Sequence, residues 1–133
     1  MDHPAPLTDL LIRKGTAMQN AVEAALGDDR LTLLRAGLLH ALSEQPRPLS
    51  ELATLLCCGR SNVTKQMDVL ETEGWVRREP DASDRRVTRA ALTPEGRAVL
   101  DQTRARLRAW EADLHARLGT ERADALRQTL SEL

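Results

Sequence analysis

The chain has 133 residues, 41% of them hydrophobic and 29% charged, and nineteen basic against twenty acidic side chains leave a formal net charge of −1. That length predicts one domain with a single core, and no apolar run approaches the ~20 residues of a membrane helix. A near-neutral balance gives no general attraction to nucleic acid, so any such contact has to come from a local basic patch.

The two cysteines, Cys57 and Cys58, are adjacent, which excludes an intrachain disulfide framework and makes a reducing cytoplasm the expected location. Met1-Asp2-His3-Pro4 does not resemble a secretory signal. Phe and Tyr are absent and only Trp75 and Trp110 are aromatic, whereas sandwiches and barrels draw on aromatic and β-branched residues. Leu, Ala, Arg and Glu dominate, and these are good helix formers. The expectation is a mainly α protein. Its basic residues are seventeen Arg and two Lys, a bias toward planar, bidentate contacts.

Leu7, Leu10, Leu11, Met18, Ala21, Val22 and Ala25 form one helical stripe over 7–26, ended by Gly27-Asp28-Asp29. A second helix is predicted from about Leu31 to Ser43, with Leu31, Leu34, Leu38, Leu39 and Leu42 on one side, and Pro46 and Pro48 stop it. Ser50–Leu56 supplies two turns, Cys57-Cys58-Gly59 breaks them, and Arg60–Glu73 continues with Val63, Met67 and Leu70 on one face. Two helices joined by so tight a turn have helix-turn-helix dimensions. Gly74 stops the second of them.

Beyond Gly74 the period changes to two. Trp75–Glu79 and Val87–Leu92 read as paired strands around the polar turn Pro80–Arg86, which makes a wing. Thr93 as N-cap and Pro94 at the first position open a long helix to about Leu118, with Leu100, Leu107, Trp110, Leu114 and Leu118 along one stripe. Gly119 breaks it, and Thr120 is predicted to cap a last helix carrying Ala123, Leu126, Leu130 and Leu133.

Opposite the apolar face of the helix after Gly59 lie Ser61, Thr64, Lys65 and Asp68, flanked by Asn62 and Gln66. Hydroxyl, amide and ammonium groups suit base edges and phosphates, although an amphipathic helix can present such a face to water alone. Arg85 and Arg86 at the hairpin tip suit a phosphate backbone or a narrow minor groove. Asp81 and Asp84 suit neither, and are expected to bond turn amides or hold an Arg in position.

From about Leu31 to Leu100 the chain resembles the winged helix-turn-helix of the MarR family of bacterial transcriptional regulators. The likeness rests on Leu49-Ser50-Glu51-Leu52-Ala53, Arg60-Ser61-Asn62-Val63-Thr64-Lys65, Leu70-Glu71-Thr72-Glu73-Gly74-Trp75-Val76-Arg77-Arg78, Asp81-Ala82-Ser83-Asp84-Arg85-Arg86 and Leu92-Thr93-Pro94-Glu95-Gly96-Arg97, in the family's order. It implies an N-terminal dimerisation helix over 1–30, a DNA-binding lobe over 31–96 and C-terminal dimerisation helices over 97–133. Arg60, Ser61, Asn62, Thr64 and Lys65 match the recognition helix, and Asp84, Arg85 and Arg86 the wing. The implied function is a homodimer on double-stranded DNA at a pseudo-palindromic operator, most simply a repressor released by a small lipophilic or anionic effector. The apolar stripes give Leu7, Leu10, Leu11, Leu114, Leu118, Leu126 and Leu130 as the expected dimer interface, with Trp110 and His40 beside the expected effector pocket.

The turn departs from the family pattern of Gly, aliphatic and Ser. Gly59 is an acceptable N-cap and Cys58 a small hydrophobe, but Cys57 stands where Gly would permit positive φ. A thiol sensor built on Cys57 and Cys58 therefore stays open beside a structural role. So does a winged-helix protein-interaction module without DNA binding, supported by the net charge and by Glu71, Glu73, Asp81 and Asp84. His3, His40 and His115 form no ligand spacing, and no phosphate loop, nucleophile elbow or Cys-x-x-Cys occurs. No metal, cofactor or enzymatic activity is expected.

Overall fold

A computed structural model describes residues 4–133; His3 lies outside them. The elements in order are α1 (Leu7–Leu26), α2 (Leu33–Ala41), β1 (Arg47–Pro48), α3 (Leu49–Leu55), α4 (Arg60–Thr72), β2 (Val76–Pro80), β3 (Thr88–Leu92), α5 (Pro94–Leu118) and α6 (Thr120–Ser131). The fold is mainly α with a three-stranded antiparallel sheet of order β1-β3-β2, the winged-helix arrangement. The chain divides into two compact units, Gly27–Thr103 and the described residues up to Leu26 together with Arg104–Leu133.

In the first unit α2, α3 and α4 close a core of Leu38, Leu39, Leu52, Val63, Met67 and Leu70, with Ala90 of β3 and Leu100 of α5. Each large aliphatic group buried there contributes about 1.5–3 kcal/mol. The three apolar positions read along α4 are its three buried residues, so its opposite side faces outward. α2 is shorter than the 31–43 predicted. Leu31 donates its backbone N–H to Asp28 O in a turn, and the Thr32 hydroxyl caps the helix by accepting from Arg35 N at 3.1 Å.

The sheet contains a strand the sequence did not announce. Arg47 and Pro48 pair with Ala90 and Arg89, where prolines read only as helix stops. Pro is tolerated because this strand lies at the sheet edge, where a missing donor leaves no ladder bond unmade. β2 and β3 pair from Val76↔Leu92 to Pro80↔Thr88. The lobe is closed by Thr93, whose hydroxyl donates to Gly74 O at 2.6 Å and accepts from Gly96 N at 3.0 Å. Thr93 thus caps α5 as its sequence position indicated.

The other unit carries little core of its own. Leu26 is the buried residue of α1 and Ala123 that of α6, and the Arg106 guanidinium donates to the carbonyl of Leu26. Gly119, not Thr120, occupies the α6 N-cap, at φ 80° with no side-chain cap. Only glycine adopts that φ without strain, so the turn that ends α5 also starts the next helix and leaves Thr120 inside it.

Candidate nucleic-acid interface

α4 begins at Gly59, an N-cap in extended backbone without a side-chain bond. Ahead of it Cys57 has φ 51°, the one positive-φ non-glycine residue among those described. A β-carbon there meets the following carbonyl, so the turn is strained where glycine was expected. Cys57 is exposed and Cys58 half-buried, both as free thiols.

Arg60, Ser61, Asn62, Thr64 and Lys65 all lie exposed on the first two turns of α4. The side chains of Arg60 and Lys65 make no hydrogen bond or ion pair among the described residues, whereas Thr64 donates its hydroxyl to Arg60 O at 3.1 Å. Asn62 Oδ1 accepts from Gln66 Nε2 at 3.2 Å, and Gln66 Oε1 accepts from Arg35 Nε at 2.8 Å.

Asp68, one turn further along the same polar side, is paired with Arg78 of β2 at 2.6 Å. Glu71 joins this pair by accepting from Arg78 N at 3.1 Å and from Arg78 Nη2 at 3.2 Å. The Arg78 bond holds the Glu71 carboxyl below its ordinary range. This tie between helix and wing was not predicted, since its partners lie seven and ten residues apart on elements of different period. Glu73 is likewise engaged, accepting from Arg30 Nη1 at 2.9 Å, while the Arg30 guanidinium lies 4.8 Å from the Trp75 ring centroid and also bonds Asp28.

At the hairpin tip both aspartates do what the turn requires. Asp81 Oδ2 accepts from Ser83 Oγ at 2.6 Å, Ser83 N at 3.0 Å and Asp84 N at 3.1 Å. Asp84 accepts from Arg86 N and Nε on one oxygen and from Nη2 on the other, all at 3.1 Å. These donors, first the Ser83 hydroxyl for Asp81 and the Arg86 guanidinium for Asp84, hold both carboxyls below their ordinary range. Arg86 remains 91% exposed despite the fork. Arg85 is exposed and has no side-chain partner among the described residues.

The acidic groups of the lobe nearest α4 and the wing are therefore bonded within it, while Arg60, Lys65, Arg85 and Arg86 project outward. That is a local basic surface on a chain of net charge −1. The match to the MarR family model covers residues 31–88, spanning α4 and the hairpin up to the start of β3. An HTH-type transcriptional repressor of Mycobacterium tuberculosis is 34% identical over 130 residues, 97% of this chain and 94% of its own. The chain belongs to the MarR family.

As a MarR-family member it is a transcriptional regulator and not an enzyme. The HTH-type regulator PecS of Dickeya dadantii is 37% identical over 71 residues, 53% of this chain, which spans only 40% of PecS. Among solved structures, the repressor CouR bound to a 23-mer DNA duplex superposes with a TM-score of 0.87 at 29% identity, covering 96% of this chain and 91% of CouR. BldR of Sulfolobus solfataricus gives 0.78 at 29% identity, covering 96% and 94%.

The remaining expected residues lie elsewhere. Leu7, Leu10, Leu11, Leu126 and Leu130 are exposed, at 36–77%, and Leu114 and Leu118 half-buried. Ile12, outside the predicted stripe, is 65% exposed as well. Trp110 lines an open groove of about 790 Å³ with Val22, Leu107, Arg108 and His115. His40 is an exposed residue of α2 and is not part of that lining. No helix among the described residues is long and apolar enough to cross a membrane.

Proposed function

We propose that this chain is a sequence-specific double-stranded DNA-binding repressor, acting in the cytoplasm as a homodimer on a pseudo-palindromic operator. The observation that carries the reading is the outward set Arg60, Lys65, Arg85 and Arg86 beside acids already bonded to arginines or turn amides. The first turns of α4, with Arg60, Ser61, Asn62, Thr64 and Lys65, enter the major groove, and the wing, with Asp84, Arg85 and Arg86, reaches the flanking minor groove. Two-fold symmetry then sets half-sites about one helical turn apart. The repressors it resembles in sequence and the DNA-bound CouR support this reading.

Pairing through Leu7, Leu10, Leu11, Leu114, Leu118, Leu126 and Leu130 is supported by the exposure of five of them, Leu114 and Leu118 being half-buried, in a unit with so few buried residues. The groove beside Trp110 offers a small lipophilic effector apolar surface from Val22, Leu107 and Ala112, and an anionic one the Arg108 guanidinium and the His115 ring, with the Glu111 carboxylate at the same lining. The interaction-module alternative draws on Glu71, Glu73, Asp81 and Asp84, but all four are used inside the lobe.

The test is operator binding by Lys65→Ala and Arg86→Ala. Each is expected to weaken binding, and the salt slope falls by about 1 for every phosphate that is no longer neutralised. Unchanged affinity and slope in both would remove α4 and the wing from the interface.

A further inference from the structure

We infer that Arg35, although on α2, sets which hydrogen-bonding group Asn62 shows to DNA, acting through Gln66 as a positioning residue; this rests on the DNA-reading function proposed above. The argument is one of donor and acceptor types. A guanidinium has donors and no acceptor, so the group 2.8 Å from Arg35 Nε must be the Gln66 carbonyl oxygen. The Gln66 amide nitrogen is thereby turned toward Asn62, 3.2 Å away. An amide nitrogen only donates, so Asn62 must offer its carbonyl inward and its NH2 outward. Side-chain amides are otherwise free to flip.

Arg35 is itself held. Its Nη1 donates to Arg30 O at 2.8 Å, and its backbone N–H donates to the Thr32 hydroxyl at 3.1 Å. The relay therefore starts on fixed backbone and ends on an exposed side chain of α4. An outward NH2 pairs with acceptors, such as guanine N7 and O6 or thymine O4, and not with the donor groups of cytosine N4 or adenine N6. The base preference read by Asn62 is thus written partly on α2.

Gln66→Glu tests this with almost no change of shape. A carboxylate still accepts from Arg35, but its other oxygen can only accept, so Asn62 has to turn its NH2 inward and its carbonyl outward. Selection of bound sequences from random duplex DNA is expected to show, at one position per half-site, a switch of about tenfold from acceptor to donor edges. The added negative charge lowers affinity for every sequence alike and leaves preference untouched. Arg35→Met should broaden preference at that same position, and Asn62→Ala should abolish it and make Gln66→Glu silent there. If the unaltered protein enriches an operator and Gln66→Glu, folded by circular dichroism, enriches the identical one, the relay is overturned while the DNA-reading function stands. An unaltered protein that enriches no sequence overturns both.

Discussion

A β-carbon placed on Gly96 would lie 1.9 Å from the carbonyl oxygen of Trp75. The first turn of α5 thus rests directly on the backbone at the start of the wing. The same carbonyl accepts from Thr93 N at 3.1 Å, and Gly74 O accepts from the Thr93 hydroxyl. Helix and hairpin are locked together there with no room for a methyl group.

Gly96→Ala should therefore cost more than an ordinary glycine replacement. Because the obstacle is backbone, the helix must shift, and overpacking of this kind costs about 1–3 kcal/mol or more. For a chain of this size that is a fall in Tm of roughly 3–5 °C per kcal/mol. Thermal denaturation by circular dichroism checks it, and an unchanged Tm would mean the close approach is not present in solution.

Asp84→Asn separates positioning from charge. If Asp84 acted only as a negative charge near phosphate, removing it would strengthen binding. Since it forks Arg86 through both oxygens, its loss should free that side chain and weaken operator binding by about threefold to tenfold, against the electrostatic trend. Fluorescence anisotropy at fixed salt gives the sign.

Acid should act on the wing late. Asp81 and Asp84 are both held below their ordinary range, the first mainly by the Ser83 hydroxyl and the second by the Arg86 guanidinium. A carboxyl depressed by folding stabilises the native turn above its unfolded value, and that contribution disappears as pH falls through the folded value. The amide resonances of Ser83, Asp84 and Arg86 should therefore titrate with midpoints below the ~3.9 of a free aspartate. A midpoint at or above that free value would show these carboxylates to be unbonded.

The exposed leucines of α6 test the assembly. Leu126 and Leu130 are 46% and 49% exposed, so Leu126→Asp with Leu130→Asp should leave the helical signal largely intact. Sedimentation velocity should then report half the mass of the unaltered protein, and operator affinity should collapse because two half-sites are no longer read together. A variant that remains a dimer would move the interface elsewhere.

Cys57→Gly should be neutral or stabilising by up to about 1 kcal/mol, because a left-handed conformation costs a side-chain-bearing residue about 1–2 kcal/mol while glycine brings extra unfolded-state entropy. Urea denaturation measures this. Replacing both Cys57 and Cys58 by Ser should leave operator binding insensitive to peroxide only if these thiols are a sensor; persisting sensitivity eliminates them.

Most of the fold was legible because its signals are local. The α4 face is set by Val63, Met67 and Leu70 recurring with the helical period, and Thr93-Pro94 marks a helix start by its own backbone chemistry. The strained turn at Cys57 was implied by the resemblance to the family, whose pattern has glycine at that position. Sequence also named the groups that face outward on α4 and the wing. It missed β1, because two residues carry no period and their partners are Ala90 and Arg89. It also assigned the α6 cap to Thr120 rather than Gly119, since a hydroxyl beside a glycine suits either position until the chain direction is known.

What sequence by itself determined was thus the succession of elements, β1 excepted, and the identity of the outward side chains, both set by interactions within a few residues. Only the tertiary structure decided which charges stay available. Asp68 and Glu71 of α4 meet Arg78 of β2, Glu73 just after α4 meets Arg30 in the turn before α2, and Gln66 of α4 meets Arg35 of α2. Those partners are separated by seven to forty-three residues in the chain, and a side chain's choice among distant partners is made by packing, which no local pattern records.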